Sequence, residues 1–255
     1  MLTLDARASR DVGTPEAGIA EMARAAAGPV GVLAGRGEVL VLPREVALGP
    51  VPWHGIRREG VGEVLAAIPR HGRFLPRSEV EDDDRWQQVI PHLVVSSGQR
   101  VLAMRRLSRG SERRLRGQVT LGVGGHINSE DGPLELAFRN GCLREWAEEV
   151  ISPEPAAGRL VGLIKDGAGE VGRVHLGVLV MVTAGEGGVT IREDDKLEGR
   201  LLTVPELEVL YLEMETWSQF VYDHLLRAGG DHLPDRGPEI TLPASPARAA
   251  GRLRE

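Results

Sequence analysis

Three glutamates spaced for one helical face dominate the chemistry this sequence can offer. In the run Arg144-Glu145-Trp146-Ala147-Glu148-Glu149, positions 145, 148 and 149 stand as i, i+3 and i+4, so their carboxylates share a flank. Each such like-charge pair costs an isolated helix about 0.3 kcal/mol, and a cation set against the flank relieves it. A hard divalent ion with oxygen ligands is the natural candidate, because Mg²⁺ commonly joins carboxylates to substrate phosphates. Acidic clusters also occur as plain solvated helix faces, so the neighbouring residues carry weight.

Those neighbours form a recognisable order. An apolar, strand-like run from Val119 to Val123 leads into Gly124-Gly125-His126, and a loop with Asn128, Ser129, Asp131 and Gly132 follows. Pro133 suits the first turn of a helix, where its missing N–H is harmless. Leu136, Leu143, Trp146 and Val150 are the apolar stripe expected to bury that helix while the glutamates face elsewhere.

The chain has 255 residues and a formal net charge of −6. That length holds one large domain, or a domain with an accessory piece. The negative balance argues against general nucleic-acid or acidic-membrane binding. Cys142 is the single cysteine, which excludes an intramolecular disulfide and a cysteine-based zinc site. Beside Leu143, it reads as a small core residue. With no apolar run long enough for a bilayer and no signal-peptide order at the amino terminus, the expectation is a soluble cytoplasmic protein.

Along the chain, residues 1–28 read as a flexible stretch or one short helix. Residues 29–80 read as an accessory segment, opening with a hairpin of Val30–Ala34 and Glu38–Leu42 about Gly35-Arg36-Gly37, with a short helix near 60–68. A second hairpin is expected from Val89–Val95 and Arg100–Met104. Further strands are expected at 160–164, 174–182, 189–192 and 200–204, and helices at 205–210 and 218–228. The expected fold class is α+β, an α/β/α sandwich with a mixed sheet spanning 81–228. The Pro-, Gly-, Arg- and Ala-rich segment 229–255 reads as a disordered tail.

The glycine pair, loop, helix and Arg-Glu-x-x-Glu-Glu together resemble the Nudix (MutT-like) hydrolases. Their signature is a glycine, five residues, a glutamate, seven residues, then Arg-Glu-apolar-x-Glu-Glu-x-Gly. The wider sequence resembles the branch called predicted phosphoesterases. Phe74-Leu75-Pro76-Arg77-Ser78-Glu79, Ile90-Pro91-His92, Gly122–Asn128, Gly172–Gly177, Leu197–Arg200 and Trp217-Ser218-Gln219 carry that likeness. Two features depart from the signature. Arg144 falls five residues late relative to Gly125, so the intervening glutamate would stand at Leu136, with Glu135 next to it and Glu130 in the loop, and Ile151 occupies the closing glycine's place.

The resemblance implies a Mg²⁺-dependent hydrolase, with Mn²⁺ as an alternative ion, that cleaves a phosphoanhydride in a nucleoside diphosphate joined to another group. It implies metal ligation by Glu145, Glu148, Glu149 and the Gly125 carbonyl, catalytic work by Glu145 and Glu149, and a positioning role for Arg144. Asp195, in the acidic run 193–195, is the expected further acid, against the reading of an ordinary solvated turn. Arg105 and Arg106 are the expected diphosphate clamp among the arginines of 105–116, against the reading of a solvated loop, and His126 and His175 are candidate substrate contacts, against a structural role. The small-molecule partner is nucleotide-like, with no membrane and no stable nucleic-acid partner, and the segment before residue 70 shapes the pocket or a homo-oligomer interface. A catalytically degenerate member that senses a nucleotide without cleaving it is the alternative.

Overall fold

Two apolar runs decide the architecture. The computed structural model describes residues 37–106, 117–192, 197–227 and 238–246. In it, β1 (Glu38–Pro43) is followed by α1 (Arg44–Leu48), β2 (Gly55–Arg57), α2 (Val61–His71), β3 (Arg73–Pro76) and α3 (Arg77–Val80). Then come β4 (Trp86–Ser97), β5 (Arg100–Arg106), β6 (Val119–Thr120), α4 (Leu134–Glu149), β7 (Val150–Ile151) and β8 (Ala156–Lys165). The chain continues through α5 (Glu170–Arg173), β9 (His175–Ala184), β10 (Thr190–Ile191), β11 (Leu197–Thr203), α6 (Val204–Val209), α7 (Thr216–Val221) and β12 (Glu239–Leu242).

β4 and β9 pair in parallel from Gln88↔His175 to Ser97↔Ala184, and both are buried over most of their length. A strand buried on both faces needs cover on both. Leu93 therefore packs with α2 and α4, through Ile68, Phe138 and Trp146. Val94 packs on the opposite side with Leu207 and Val221 of α6 and α7. The sheet runs β11-β5-β4-β9-β8-β12, so the expected α/β/α sandwich with a mixed sheet is observed.

The second hairpin forms as expected, with Ser97 opposite Arg100 and Gly98 at φ 57°. In the first expected hairpin, Val30–Ala34 lies outside the described residues. β1 finds its partners far along the chain, in β3 and β4. The stretch read as accessory thus supplies β1, β2 and β3 to the main sheet. The segment read as a disordered tail is corrected over 238–246, where β12 pairs with β8. The alternation Glu239-Ile240-Thr241-Leu242 sends Ile240 and Leu242 inward, a pattern too short to stand out against the composition around it.

Beneath the β4 and β9 N-termini lies a buried ammonium. Lys165 Nζ donates to Gln87 Oε1 (2.5 Å) and to the carbonyls of Gly172 (2.5 Å), Arg173 (2.8 Å) and His175 (3.0 Å). It fixes the turn that delivers His175. Lys165→Met strands several buried acceptors at once, and an unmade buried hydrogen bond costs roughly 1–3 kcal/mol. We expect a loss of about 3 kcal/mol or more, read from the urea midpoint; an unchanged midpoint would contradict this role.

Candidate active site

α4 begins after Pro133, whose φ of −63° leads the chain into the helix. Helical spacing puts Phe138, Cys142 and Trp146 on the buried side, and Trp146 Nε1 donates to Pro243 O at 2.9 Å. This differs from the expected stripe, for Leu136 and Leu143 are only half-buried. The reason is Gly141, where an added Cβ would lie 2.9 Å from Ile127 Cγ1. Close approach of loop and helix at that point rotates the 137–138, 141–142 and 145–146 face inward. Cys142 is the expected core residue, and burial holds its thiol pKa well above the ordinary range.

The rotation also buries Arg144 and Glu145. Arg144 Nε donates to Asp131 Oδ1 at 2.9 Å and Nη2 to Asp131 Oδ2 at 3.1 Å, a bidentate pair. Its Nη1 reaches Glu145 Oε1 at 2.7 Å and Glu148 Oε2 at 3.1 Å, and Nη2 also donates to His126 O at 2.7 Å. Planar guanidinium geometry suits such a junction, because all its donors are fixed in one fork. Burial works against the arginine charge, yet the Asp131 hydrogen bond and the nearby carboxylates hold its pKa above the ordinary value. Glu145 moves in the opposite sense to an ordinary ion-paired acid. Burial dominates, Arg144 opposes it, Glu148 and Asp131 add repulsion, and the pKa is pushed up to about 7.

The sequence alone marks Asp131 only as part of a loop. Its carboxylate also accepts from the Asn128 N–H at 2.8 Å, closing a capping box on the short 3₁₀ turn Ser129–Asp131. Five residues separate Gly125 from Asp131, which therefore stands in the signature glutamate's place. The backward count from Arg144 had landed on Leu136. The extra residues therefore lie after the acid, and α4 starts early enough to carry them.

The glycine run is held from behind by β4 and α7. Leu93 and Val123 exchange backbone hydrogen bonds at 2.8 and 2.9 Å. Leu121 N–H donates to Ser218 Oγ at 2.9 Å, and His92 stands edge-on to Trp217 with ring centres 5.4 Å apart. A Cβ on Gly122 would enter the His92 ring. Gly124, at φ 153°, passes Pro91 O so closely that no side chain fits. At Gly125 an added Cβ would lie 2.8 Å from Glu145 Oε1, so glycine is what lets the loop backbone meet the buried carboxylate.

His126 and His175 face one another through Nε2 at 3.2 Å. Burial, with Arg77 and His175 adding to it, pushes the His126 pKa down to about 3. Glu148 and Glu149 are half-buried on the same flank as Glu145. Arg105 does not join the site. It shares the α6 and α7 face with Ala103, donating to Glu213 Oε2 and Gly117 O, each at 2.7 Å. Strand alternation sends residue 105 away from α4. The Arg106 side chain, Arg109 to Arg116, and Asp195 lie outside the described residues.

The arrangement is an oxygen-rich flank with one carboxylate driven close to neutrality, beneath a loop whose backbone approaches it. Such a set suits a hard divalent cation. Among the described residues no three acidic or imidazole side chains form a ready cage. Mg²⁺ does not require one, since it usually takes one or two carboxylates and fills its shell with water and phosphate oxygens. A cation beside Glu145 would also offset the repulsion and desolvation that raise its pKa.

No family model matches the chain. Protein YmaB of Bacillus subtilis (strain 168) is 34% identical to it over 198 residues, covering 73% of this chain and 96% of that protein. The solved structure of Tm1382, assigned as a Nudix hydrolase, is 32% identical with a TM-score of 0.63, covering 75% of this chain and 99% of its own. A NUDIX hydrolase from Nitrosomonas europaea aligns at 17% identity over 58% of this chain and 94% of its own, with a TM-score of 0.39. No described helix is long and apolar enough to cross a membrane.

Proposed function

The chain belongs to the Nudix hydrolase family, and from that premise we propose that it hydrolyses a phosphoanhydride bond in a nucleoside diphosphate linked to another group, with a divalent metal. The observation that carries this reading is Arg144, which ties Asp131, Glu145 and Glu148 into one unit directly under Gly125. The altered spacing has not dismantled that unit, which favours an enzyme over a degenerate sensor.

Glu145, Glu148, Glu149 and the Gly125 carbonyl would hold Mg²⁺, or Mn²⁺, which would neutralise the diphosphate and acidify a bound water. Arg144 engages one oxygen of Glu145, and with the metal bound the other would stand beside the attacking water to take its proton. Arg144 acts through the carboxylates it orients and does not meet the substrate. As water adds to phosphorus, the bridging P–O bond breaks and its electrons leave with the departing phosphate. Asp195 is the competing proton acceptor. His126 lines the substrate side of the loop. Positioned proton transfer of this kind is worth roughly 10²–10⁴-fold.

Metal and proton compete for Glu145, so metal uptake releases a proton wherever Glu145 starts protonated. Apparent Mg²⁺ affinity is therefore level above about pH 7 and falls toward tenfold per pH unit below it. Calorimetry across that range checks this, and an affinity independent of pH would contradict it.

The function itself is tested by screening nucleotide sugars, dinucleoside polyphosphates and nucleoside triphosphates with Mg²⁺ or Mn²⁺. Turnover that disappears on chelation and in Glu148→Gln is expected. Tight nucleotide binding without product and without regard to metal would instead identify a sensing module.

A further inference from the structure

β11 is the edge strand of the sheet, and among the described residues it pairs only with β5. Natural edges are usually blunted by charge, bulges or cover. This edge carries charges of a particular arrangement, with Glu198 and Arg200 on one face and Gly199 between them. Two like charges there would repel a second copy. Opposite charges one step either side of a central glycine do the reverse.

When two such strands pair antiparallel about Gly199, Glu198 stands opposite Arg200 of the partner subunit, and the pair repeats by symmetry. That is the self-complementary pattern a two-fold interface requires, and directly opposite unlike charges stabilise a ladder. Within one chain these two side chains already bond each other, Arg200 Nε to Glu198 Oε1 at 3.0 Å. They are well exposed and free to exchange partners across a seam.

The neighbouring surface agrees. On the same face, a groove of about 420 Å³ runs between the strands and α6, lined by Ala103, Val119, Glu198, Arg200, Leu202 and Leu210. Val209, which also lines it, is 82% exposed, and Leu212 is 90% exposed. They are the two most exposed of the four large apolar side chains exposed among the described residues. A two-fold axis normal to the sheet sets both α6 helices on one side of the joined sheet, facing each other across the seam. The Gly199 side away from the groove is already covered by Ile191, so growth is possible at the edge alone.

We propose that this chain forms a homodimer by antiparallel pairing of β11 edges about Gly199, with Glu198 and Arg200 as its reciprocal ion pairs. The dimer is independent of the hydrolytic reading, because none of these residues belongs to the candidate active site. Sedimentation of the full chain is expected to give a species of twice 27.5 kDa. Glu198→Arg sets like charges opposite each other twice and should weaken association roughly tenfold or more. Glu198→Arg with Arg200→Glu restores the pairing and should restore the dimer. A native far-UV circular dichroism spectrum shows that each variant is folded, whatever its melting point, which association itself raises. A chain that stays monomeric at high concentration, or a Glu198→Arg variant that dimerises as tightly as the native chain, overturns the proposal.

Discussion

Glu145→Gln is expected to abolish most turnover while leaving the fold at least as stable as the native protein above neutral pH. Glutamine keeps an oxygen for Arg144 Nη1, now 2.7 Å from Glu145 Oε1, and Arg144 retains Asp131 and Glu148. What vanishes is a buried charge. The carboxyl has a folded-state pKa of about 7 against 4.5 for the free group. A raised acid binds its proton more tightly when folded, so the metal-free native protein loses stability as pH rises from about 4.5 to 7 and is level above. The variant lacks that decline. Loss of a metal ligand and proton acceptor should lower turnover by roughly 10²-fold or more. Melting curves at pH 5 and 8 beside turnover measurements separate the two effects. A variant that loses stability at pH 8 as well as activity would show that Glu145 is a structural charge.

Arg144→Met is expected to produce the largest loss of stability, roughly 3–5 kcal/mol, because it leaves a buried acid without its cation. Asp131 is 2% exposed and Arg144 9%. Activity should fall with it, since Glu145 and Glu148 lose the donor they share. Adding Asp131→Asn removes the orphaned charge and should recover part of the stability, but none of the activity. Urea unfolding of both variants reads this coupling. Additive losses in the double variant would mean that Asp131 does not anchor Arg144.

The helical half of the candidate site is legible in the sequence because i, i+3, i+4 spacing is local. The Glu145, Glu148, Glu149 flank and its helix follow from periodicity and Pro133 alone. The second hairpin and the late strands were equally local. Asp131 is hidden from a spacing that runs back from Arg144, because α4 absorbs the extra residues between them. Arg105 was misplaced for a reason parity could have caught. It lies two residues from Ala103, which faces α6 and α7, and so turns away from α4. The partners of β1, and the caging of Lys165 by three carbonyls from another strand's approach, depend on contacts distant in sequence. Such pairings leave no period to read.

Soaking a crystal of the protein in Mn²⁺ and measuring anomalous scattering tests the central claim most directly. The account predicts a peak within coordination distance of Glu145, Glu148 and Glu149, on the side that faces Gly125. An anomalous map empty beside that flank at saturating Mn²⁺, with Arg144 still bridging Glu145 and Glu148 as in the metal-free arrangement, would contradict it.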